Sequence, residues 1–360
     1  MNFCIVILLL FSLLGAVDKI LKGRLGVADA FDQGLRAMGG LCFSMAGIYC
    51  IGITSISAHT RLFSQLSAVV PFDISLLAGV LLAPDLGGYS ICTQLAASPA
   101  LGLYAGLLLS STVGCTISFV LPTSLGNLPA AETDSFMNGI SLGIITVPVG
   151  LLLGGLFLGI FPRVLFANLW PVLLLCCVLC LCLYLAPKRS IKVLTVFGDL
   201  IRITGILLFC TVAAGIFVPT IAIVSSSLVN EVLVIVLKIT VIVCGSMVAS
   251  QLVLSHFSGT LKRAGQLLGI NEYAVIGLFI SLATSISMLP LFPKMDRRGK
   301  IMNAAFTVSG AFVLGGQLAF VSSVQSSSAM IAIYMLTKIV SGISALVLAA
   351  RCIKSDRSSA

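Results

Sequence analysis

Apolar runs of roughly 20 residues recur along the whole chain and are separated by short polar segments. A helix of about 20 residues spans the hydrocarbon of a bilayer, because it rises about 1.5 Å per residue. The pattern therefore predicts eleven apolar elements: Phe3–Val17, Met38–Ala58, Leu76–Leu95, Leu101–Leu121, Met137–Phe161, Leu169–Ala186, Ile203–Ile223, Val232–Leu254, Tyr273–Phe292, Ala304–Val324 and Ala329–Ala349.

Composition narrows the class of protein. The 360 residues are 59% hydrophobic and 9% charged, whereas a globular domain carries about 25% charged residues. An ordinary soluble domain is excluded, and we expect an all-α polytopic membrane protein. Most of the 12 cysteines lie inside apolar runs, where cysteine acts as a small hydrophobic residue. We expect no metal, no cofactor and no nucleic-acid partner.

The basic residues predict how the chain crosses the membrane. Seventeen of the 21 Lys and Arg residues lie in five segments, which we assign to the cytoplasmic side. These segments are 19–36, 188–202, 262–263, 294–300 and 351–357. Two of them flank Tyr273–Phe292, so that element must enter and leave by the same face. If Leu76–Leu95 crossed the membrane once, the basic segment 188–202 would lie outside. This element must therefore also enter and leave by one face.

The topology therefore comprises about ten transmembrane helices and two re-entrant hairpins, with the N-terminus outside and the C-terminus inside. The halves run in opposite directions, as an inverted repeat with broken elements at matching positions. Such repeats indicate a transport site near the bilayer midplane. The predicted parts are a first repeat (1–165, with hairpin 76–95), a linker helix and basic loop (166–190), a second repeat (191–350, with hairpin 273–292) and a basic tail (351–360).

One carboxylate lies within the first predicted hairpin. Asp85 follows Pro84 and precedes Gly87 and Gly88, residues that interrupt a helix. An ionisable group at membrane depth costs at least ~3 kcal/mol and usually faces a cavity or a partner. An anion on broken backbone suits a small cationic solute, so we expect transport. The alternatives are that Asp85 caps a half-helix or pairs with an internal lysine.

Two lysines lie in the middle of apolar elements, far from either end. We hypothesise that Lys338 pairs with Asp85 in the empty state and is displaced by a substrate cation. A permanent structural pair is the alternative. Lys238 has a similar mid-span position. In the basic loop Met295–Lys300 we expect a topological and gating role, with Asp296 holding Arg298 in a salt bridge.

Other classes of function leave weaker signals. Ser141 lies in a G-x-S-x-G pattern, which would suit an intramembrane serine hydrolase. Only His59 and His256 could act as its base, and glycines at this spacing favour helix packing. We therefore expect no enzyme. A channel or a sensor would share much of the pattern, although no signalling domain is visible.

Four stretches resemble the bacterial ethanolamine-utilisation permeases, and their order and spacing cover nearly the whole chain. The resemblance implies uptake of protonated ethanolamine across the bacterial cytoplasmic membrane. The substrate could instead be another small amine or a polar metabolite. The resemblance leaves open what drives uptake and whether the protein forms a homo-oligomer. The stretches are Gly15–Ile20 (GAVDKI), Leu77–Gly88 (LAGVLLAPDLGG), Gly143–Gly150 (GIITVPVG) and Met295–Lys300 (MDRRGK) with Asn303.

The resemblance also suggests the substrate-binding residues. Asp85, Gly87 and Gly88 match the family's pattern, and Asp85 would hold the ammonium group. The chain departs from that pattern at Gln94, where the family has Glu, at Thr284 and Ser285, where it has two Asn, and at Gly316 and Gln317, where it has Asp and His. The full predicted set is Asp85, Gly87, Gly88, Tyr89, Gln94, Thr284, Ser285, Ser287 and Gln317, with Tyr89 and the hydroxyls as further contacts.

Overall fold

The computed structural model describes residues 3–58, 69–256, 265–325 and 327–353, and in those ranges the chain forms helices and no strands. Six described helical stretches are long and apolar enough to cross a membrane. The predicted all-α, multi-pass membrane architecture is therefore confirmed at this level. These stretches are Pro99–Asn127, Ala130–Phe157, Pro162–Leu185, Thr195–Phe217, Ser226–Leu252 and Ser328–Cys352.

The described α-helices are numbered in chain order. They are α1 (Phe3–Ile20), α2 (Ala28–Ser44), α3 (Cys50–Ala58), α4 (Ser75–Leu81), α5 (Gly88–Leu95), α6 (Pro99–Leu103), α7 (Leu121–Asn127), α8 (Thr133–Phe157), α9 (Pro162–Leu185), α10 (Pro187–Phe217), α11 (Ser226–His256), α12 (Glu272–Ala283), α13 (Arg297–Ser309), α14 (Gly316–Val324) and α15 (Ser328–Cys352). π-Helical segments Met45–Tyr49, Tyr104–Gly114 and Thr116–Val120 join α2 to α3 and α6 to α7.

Helix α8 packs against three other helices, α13, α15 and α9. Its glycines allow the close approach. A Cβ on Gly143 would lie 2.5 Å from the Ala305 carbonyl oxygen of α13, closer than two non-bonded atoms can come. Helix α11 packs against a different set of helices, α1, α2 and α14. Small residues at such contacts are the usual means of close packing between apolar helices.

The first predicted hairpin consists of two short helices, α4 and α5, that pack against each other. Helices of seven and eight residues are only about 10–12 Å long, too short to cross a bilayer. The two ends of this segment meet. The Asp73 carboxylate, just before α4, accepts hydrogen bonds from the Ala97 backbone N–H (2.8 Å) and the Ser75 hydroxyl (2.5 Å). The residues that follow α5 therefore lie beside the residues that precede α4.

The second predicted hairpin has the same property. Helix α12 is followed by a 3₁₀ stretch, Ile286–Lys294, in which Pro290 and Pro293 lack the N–H that an α-helix needs. The Asn271 backbone N–H, at the start of α12, donates to the Asp296 carboxylate (2.8 Å), and the Asn271 side chain donates to the Lys294 carbonyl (2.9 Å). Both ends of this segment are thus tied together.

The element expected at Ala304–Val324 is not one helix, which corrects the prediction. Helix α13 ends at Ser309 and α14 begins at Gly316. In between, Phe312 has a φ of 63°, and the Phe312 and Leu314 N–H groups donate to the carbonyls of Ser281 (3.0 Å) and Leu282 (2.9 Å). These bonds to the end of α12 replace the intrahelical ones, so the break is stable.

The element expected at Ile203–Ile223 also has different ends. Helix α10 begins at Pro187 and ends at Phe217. Its start takes in residues expected to form a basic loop, because Pro is favourable in the first turn of a helix. Its end precedes Pro219, which disfavours helical backbone at Val218.

The hydrogen bonds that the Asp73 carboxylate accepts from Ala97 and Ser75 should contribute measurably to stability. We predict that Asp73→Ala lowers the midpoint of thermal unfolding in detergent by several degrees, because hydrogen bonds to a charged acceptor contribute about 1.5–3 kcal/mol each. Asp29→Ala, at an exposed position, is the matched control and should change the midpoint little. Equal midpoints for the two variants would contradict a stabilising role for the hydrogen bonds at Asp73.

Candidate functional site

The tip of the first hairpin is a 3₁₀ turn, Pro84–Leu86, that carries Asp85. Ala83 is extended (φ −65°, ψ 156°), because a residue that precedes proline avoids the helical region. Gly87 closes the turn with a φ of 90°, a conformation that costs other residues about 1–2 kcal/mol. The local sequence therefore ends α4, presents Asp85 and starts α5 within six residues.

The backbone of this tip is hydrogen-bonded inside the protein. The Ala83 N–H donates to the Ser118 hydroxyl (3.1 Å), which itself donates to the Gly114 carbonyl (2.7 Å). The Gly88 N–H donates to the Ala83 carbonyl (3.0 Å). A Cβ on Gly88 would lie 2.6 Å from the Leu82 oxygen, so this position requires glycine. Broken backbone at membrane depth is tolerated only with such internal partners.

The turn lies among several elements that converge in the interior. It contacts the π-helix Tyr104–Gly114, the π-turn Met45–Tyr49 and α14. Asp85 is half-buried there, and no described Lys, Arg or His nitrogen lies within 4 Å of its carboxylate. The carboxylate is therefore held inside the protein without a direct ion-pair partner among the described residues.

Lys338 of α15 is a second ionisable group in this interior and is only 1% exposed. Its Nζ donates to the Ser111 backbone carbonyl (2.7 Å) and to Gln317 Oε1 (2.8 Å). The Tyr334 ring, one helical turn away, has its centroid 5.7 Å from Nζ, within the range of a cation–π interaction. The buried ammonium group is thus held by two neutral oxygens and an aromatic face.

Asp85 and Lys338 belong to one cluster, because Ser111 and Gln317, which hold Lys338, lie on elements that both contact the turn of Asp85. Cys115 follows Ser111 by four residues. The direct pair suggested by the sequence does not form, because Lys338 is held by Ser111 and Gln317 instead. Charges separated in this way still influence each other strongly in an interior of low dielectric constant. The cluster therefore places one carboxyl group and one amino group near each other without a direct bond between them.

Tyr89 connects the first hairpin to α14. Its hydroxyl accepts a hydrogen bond from Gln325 Nε2 (2.8 Å), and its ring packs edge-on against Phe320 with the centroids 5.8 Å apart. At the second tip, Ser285 is buried and Thr284 and Ser287 are half-buried. This tip is tied through Ser281 and Leu282 to the segment that leads into α14. The first hairpin therefore contacts the middle and the end of α14, and the second tip contacts the segment that precedes α14.

Four residues from the predicted set lie elsewhere or have other partners. Gln94 and Lys238 are exposed. Asp296 caps α13 by accepting from the Gly299 N–H (3.2 Å), and Arg298 donates to the Ile353 carbonyl (2.6 Å). The expected Asp296–Arg298 salt bridge is therefore replaced by two separate backbone contacts.

The hydrolase motif has a structural explanation. The Ser141 hydroxyl donates to the Met137 carbonyl within α8 (3.0 Å), whereas a nucleophile of this motif needs a strand–turn–helix context. Its flanking Gly143 contacts α13. His59 lies outside the described residues. Within the described ranges, no group of three or more His, Cys, Asp or Glu residues could hold a metal ion.

Sequence reasoning missed several members of the cluster. Tyr334 precedes Lys338 by four residues, a spacing that places both on one helical face, so this contact could have been found. The Ser111 carbonyl gave no signal, because every residue type presents the same backbone oxygen. The proximity of Cys115 depends equally on the tertiary structure.

These features define an all-α, multi-pass membrane protein with a buried cluster of charged and polar groups at the tip of a broken element. The family model for the ethanolamine utilisation protein EutH matches residues 1–352. The chain belongs to this family, and the resemblance seen in the sequence is confirmed.

Three relatives illustrate the similarity. "Probable ethanolamine permease EutH" of Listeria monocytogenes is 34% identical over 95% of this chain and 91% of its own length. "Uncharacterized protein YxeR" of Bacillus subtilis is 31% identical over 96% and 92%. "Probable ethanolamine permease EutH" of Salmonella typhimurium is 29% identical over 97% and 95%. No solved structure matches the chain.

Loss of the side-chain amide should destabilise the protein at Gln317 but not at Gln94. We predict that Gln317→Leu lowers the thermal unfolding midpoint by several degrees, because a buried ammonium loses an acceptor at a cost of about 1.5–3 kcal/mol. Gln317→Glu, which keeps an acceptor beside Lys338, should restore most of the loss. Gln94→Leu, at an exposed position, is the control, and an effect as large as that of Gln317→Leu would argue against the cluster.

Proposed function

We propose that this protein is a carrier that takes up a small organic ammonium ion, protonated ethanolamine, across the bacterial cytoplasmic membrane. The observation that carries the proposal is the interior position of Asp85, a half-buried carboxylate with no described ion-pair partner within 4 Å. The names of the Listeria and Salmonella relatives, both called probable ethanolamine permease, support the same substrate.

The chemistry of ethanolamine fits the groups near the two tips. Its ammonium group would bind the Asp85 carboxylate through charge-assisted hydrogen bonds, which are about twice as strong as neutral ones. Its hydroxyl would bind Tyr89 or the hydroxyls of Thr284, Ser285 and Ser287. Gly87 and Gly88 allow the chain to turn tightly around the site. The exposed Gln94 and Lys238 are left outside it.

The proposal includes the predicted topology, an inverted repeat in which two of the eleven apolar elements are re-entrant hairpins and the other nine cross the membrane. The hydrogen bonds that join the two ends of each hairpin support it. Contacts between distant loops also agree with the predicted sides. Lys300 and Glu132, both expected inside, form an ion pair (2.6 Å). The Asp73 N–H and the Asn168 side chain, both expected outside, form a hydrogen bond (2.8 Å).

Under this proposal the repeats occupy residues 1–165 and 191–350, and the two hairpin tips approach the same interior region from opposite faces. Movement of one repeat against the other would open the site alternately to each side, as in other carriers built from inverted repeats. Both facilitated diffusion and ion-coupled uptake are compatible with this arrangement. Another small primary amine would satisfy the same groups, so competition between amines decides the natural substrate.

The binding role of Asp85 has a direct test in uptake of radiolabelled ethanolamine by proteoliposomes. We predict that Asp85→Asn lowers uptake at least tenfold, because tenfold corresponds to only about 1.4 kcal/mol and a desolvated charge pair contributes more. Asp85→Glu, which keeps the charge, should retain part of the activity. Asp29→Asn, an exposed acid outside the site, should behave as wild type. Normal uptake by Asp85→Asn would refute the site.

Cysteine labelling tests the two re-entrant hairpins. In a cysteine-free background, Val69→Cys and Ala97→Cys flank the first hairpin, and Glu272→Cys and Arg297→Cys flank the second, all at exposed positions. We predict that an impermeant maleimide labels the first pair in intact cells and the second pair only after the membrane is opened. Labelling of the two ends of one hairpin from opposite sides would contradict the topology.

A further inference from the structure

The environment of Lys338 is unusual for a buried lysine. A buried ammonium group ordinarily pairs with a carboxylate, because an unpaired buried charge is costly. Here Nζ is held by a backbone carbonyl and an amide oxygen at 2.7 and 2.8 Å, and an aromatic ring lies beside it. Asp85 lies on the turn that contacts both elements holding this charge, and no ion pair within 4 Å joins it to Lys338.

This arrangement leaves the carboxylate available. A direct salt bridge would use the Asp85 oxygens and would have to break before another cation could bind. Two neutral acceptors instead hold the ammonium group of Lys338 at a fixed place. Its positive charge favours the ionised form of Asp85 and repels any further cation that approaches it.

We propose that Lys338 is a specificity-determining residue that restricts the Asp85 site to one singly charged ammonium ion. The inference rests on the proposed function and adds to it the charge of the accepted substrate. With Asp85 ionised and Lys338 protonated, the empty site carries charges of −1 and +1 and is neutral overall. A monovalent substrate brings the site to +1, whereas a diammonium substrate brings it to +2. The repulsion from Lys338 acts twice on the divalent ligand and once on the monovalent one.

Two ligands of nearly the same size isolate this effect. 3-Aminopropan-1-ol carries one ammonium group, and 1,3-diaminopropane carries a second ammonium in place of the hydroxyl. The experiment measures how well each inhibits the binding of radiolabelled ethanolamine to purified full-length protein. We expect the wild type to favour the amino alcohol at least tenfold. Equal inhibition by the two ligands would overturn the proposal without any variant.

Lys338→Gln then tests the residue itself, because its amide can still donate to the Ser111 carbonyl while carrying no charge. We expect the preference for the amino alcohol over the diamine to fall at least tenfold, which corresponds to about 1.4 kcal/mol. Lys338→Arg keeps the charge and should keep the preference. Lys238→Gln removes an exposed lysine from the middle of α11 and is the matched control, with no change expected.

The outcomes separate the two proposals. If Asp85→Asn abolishes ethanolamine binding but Lys338→Gln leaves the preference unchanged, the carrier site stands and the role of Lys338 is overturned. If Asp85→Asn binds ethanolamine normally, the proposed site itself fails. If Lys338→Gln is unstable in detergent, the comparison between wild type and Lys338→Arg decides, because loss of the preference in a variant that keeps the charge would contradict an electrostatic role.

Discussion

The interior of this protein depends on one constraint, that every interrupted stretch of backbone in an apolar environment must find hydrogen-bond partners inside the protein. The described breaks satisfy it with specific neighbours. The first tip uses the Ser118 hydroxyl, and the end of α12 accepts from Phe312 and Leu314. Each break thereby fixes another irregular segment beside it, so the broken elements gather in one region. Asp85 lies in that region because its own turn is one of the breaks.

The same region separates two charges that would ordinarily pair. Lys338 is held by Ser111 and Gln317, while Asp85 lies on the short turn between α4 and α5. An arrangement of this kind is less favourable for stability than a direct pair in a dry interior. Under the proposed function this arrangement is useful, because the carboxylate can bind and release a substrate cation without breaking a strong internal bond.

Much of this architecture could be predicted from the sequence, because hydrophobic runs and basic loops are one-dimensional signals. Pro84, Gly87 and the basic residues around Tyr273–Phe292 indicated both broken elements, and Asp85 was visible as an isolated acid. The break at Phe312 was not visible, since its hydrogen bonds go to α12, about thirty residues earlier. The exposure of Gln94 and Lys238 and the partners of Lys338 depend on how helices face each other, which sequence spacing leaves undetermined.

The central claim is that the protein recognises a small solute by its positive charge and carries it through a saturable site. The most direct measurement is uptake of radiolabelled ethanolamine by purified protein in liposomes, with unlabelled ethanolamine and ethylene glycol as competitors. Ethylene glycol has the same size and a hydroxyl in place of the ammonium group. We predict saturable uptake that ethanolamine blocks and ethylene glycol does not. Uptake that fails to saturate, or that ethylene glycol blocks equally well, would contradict it.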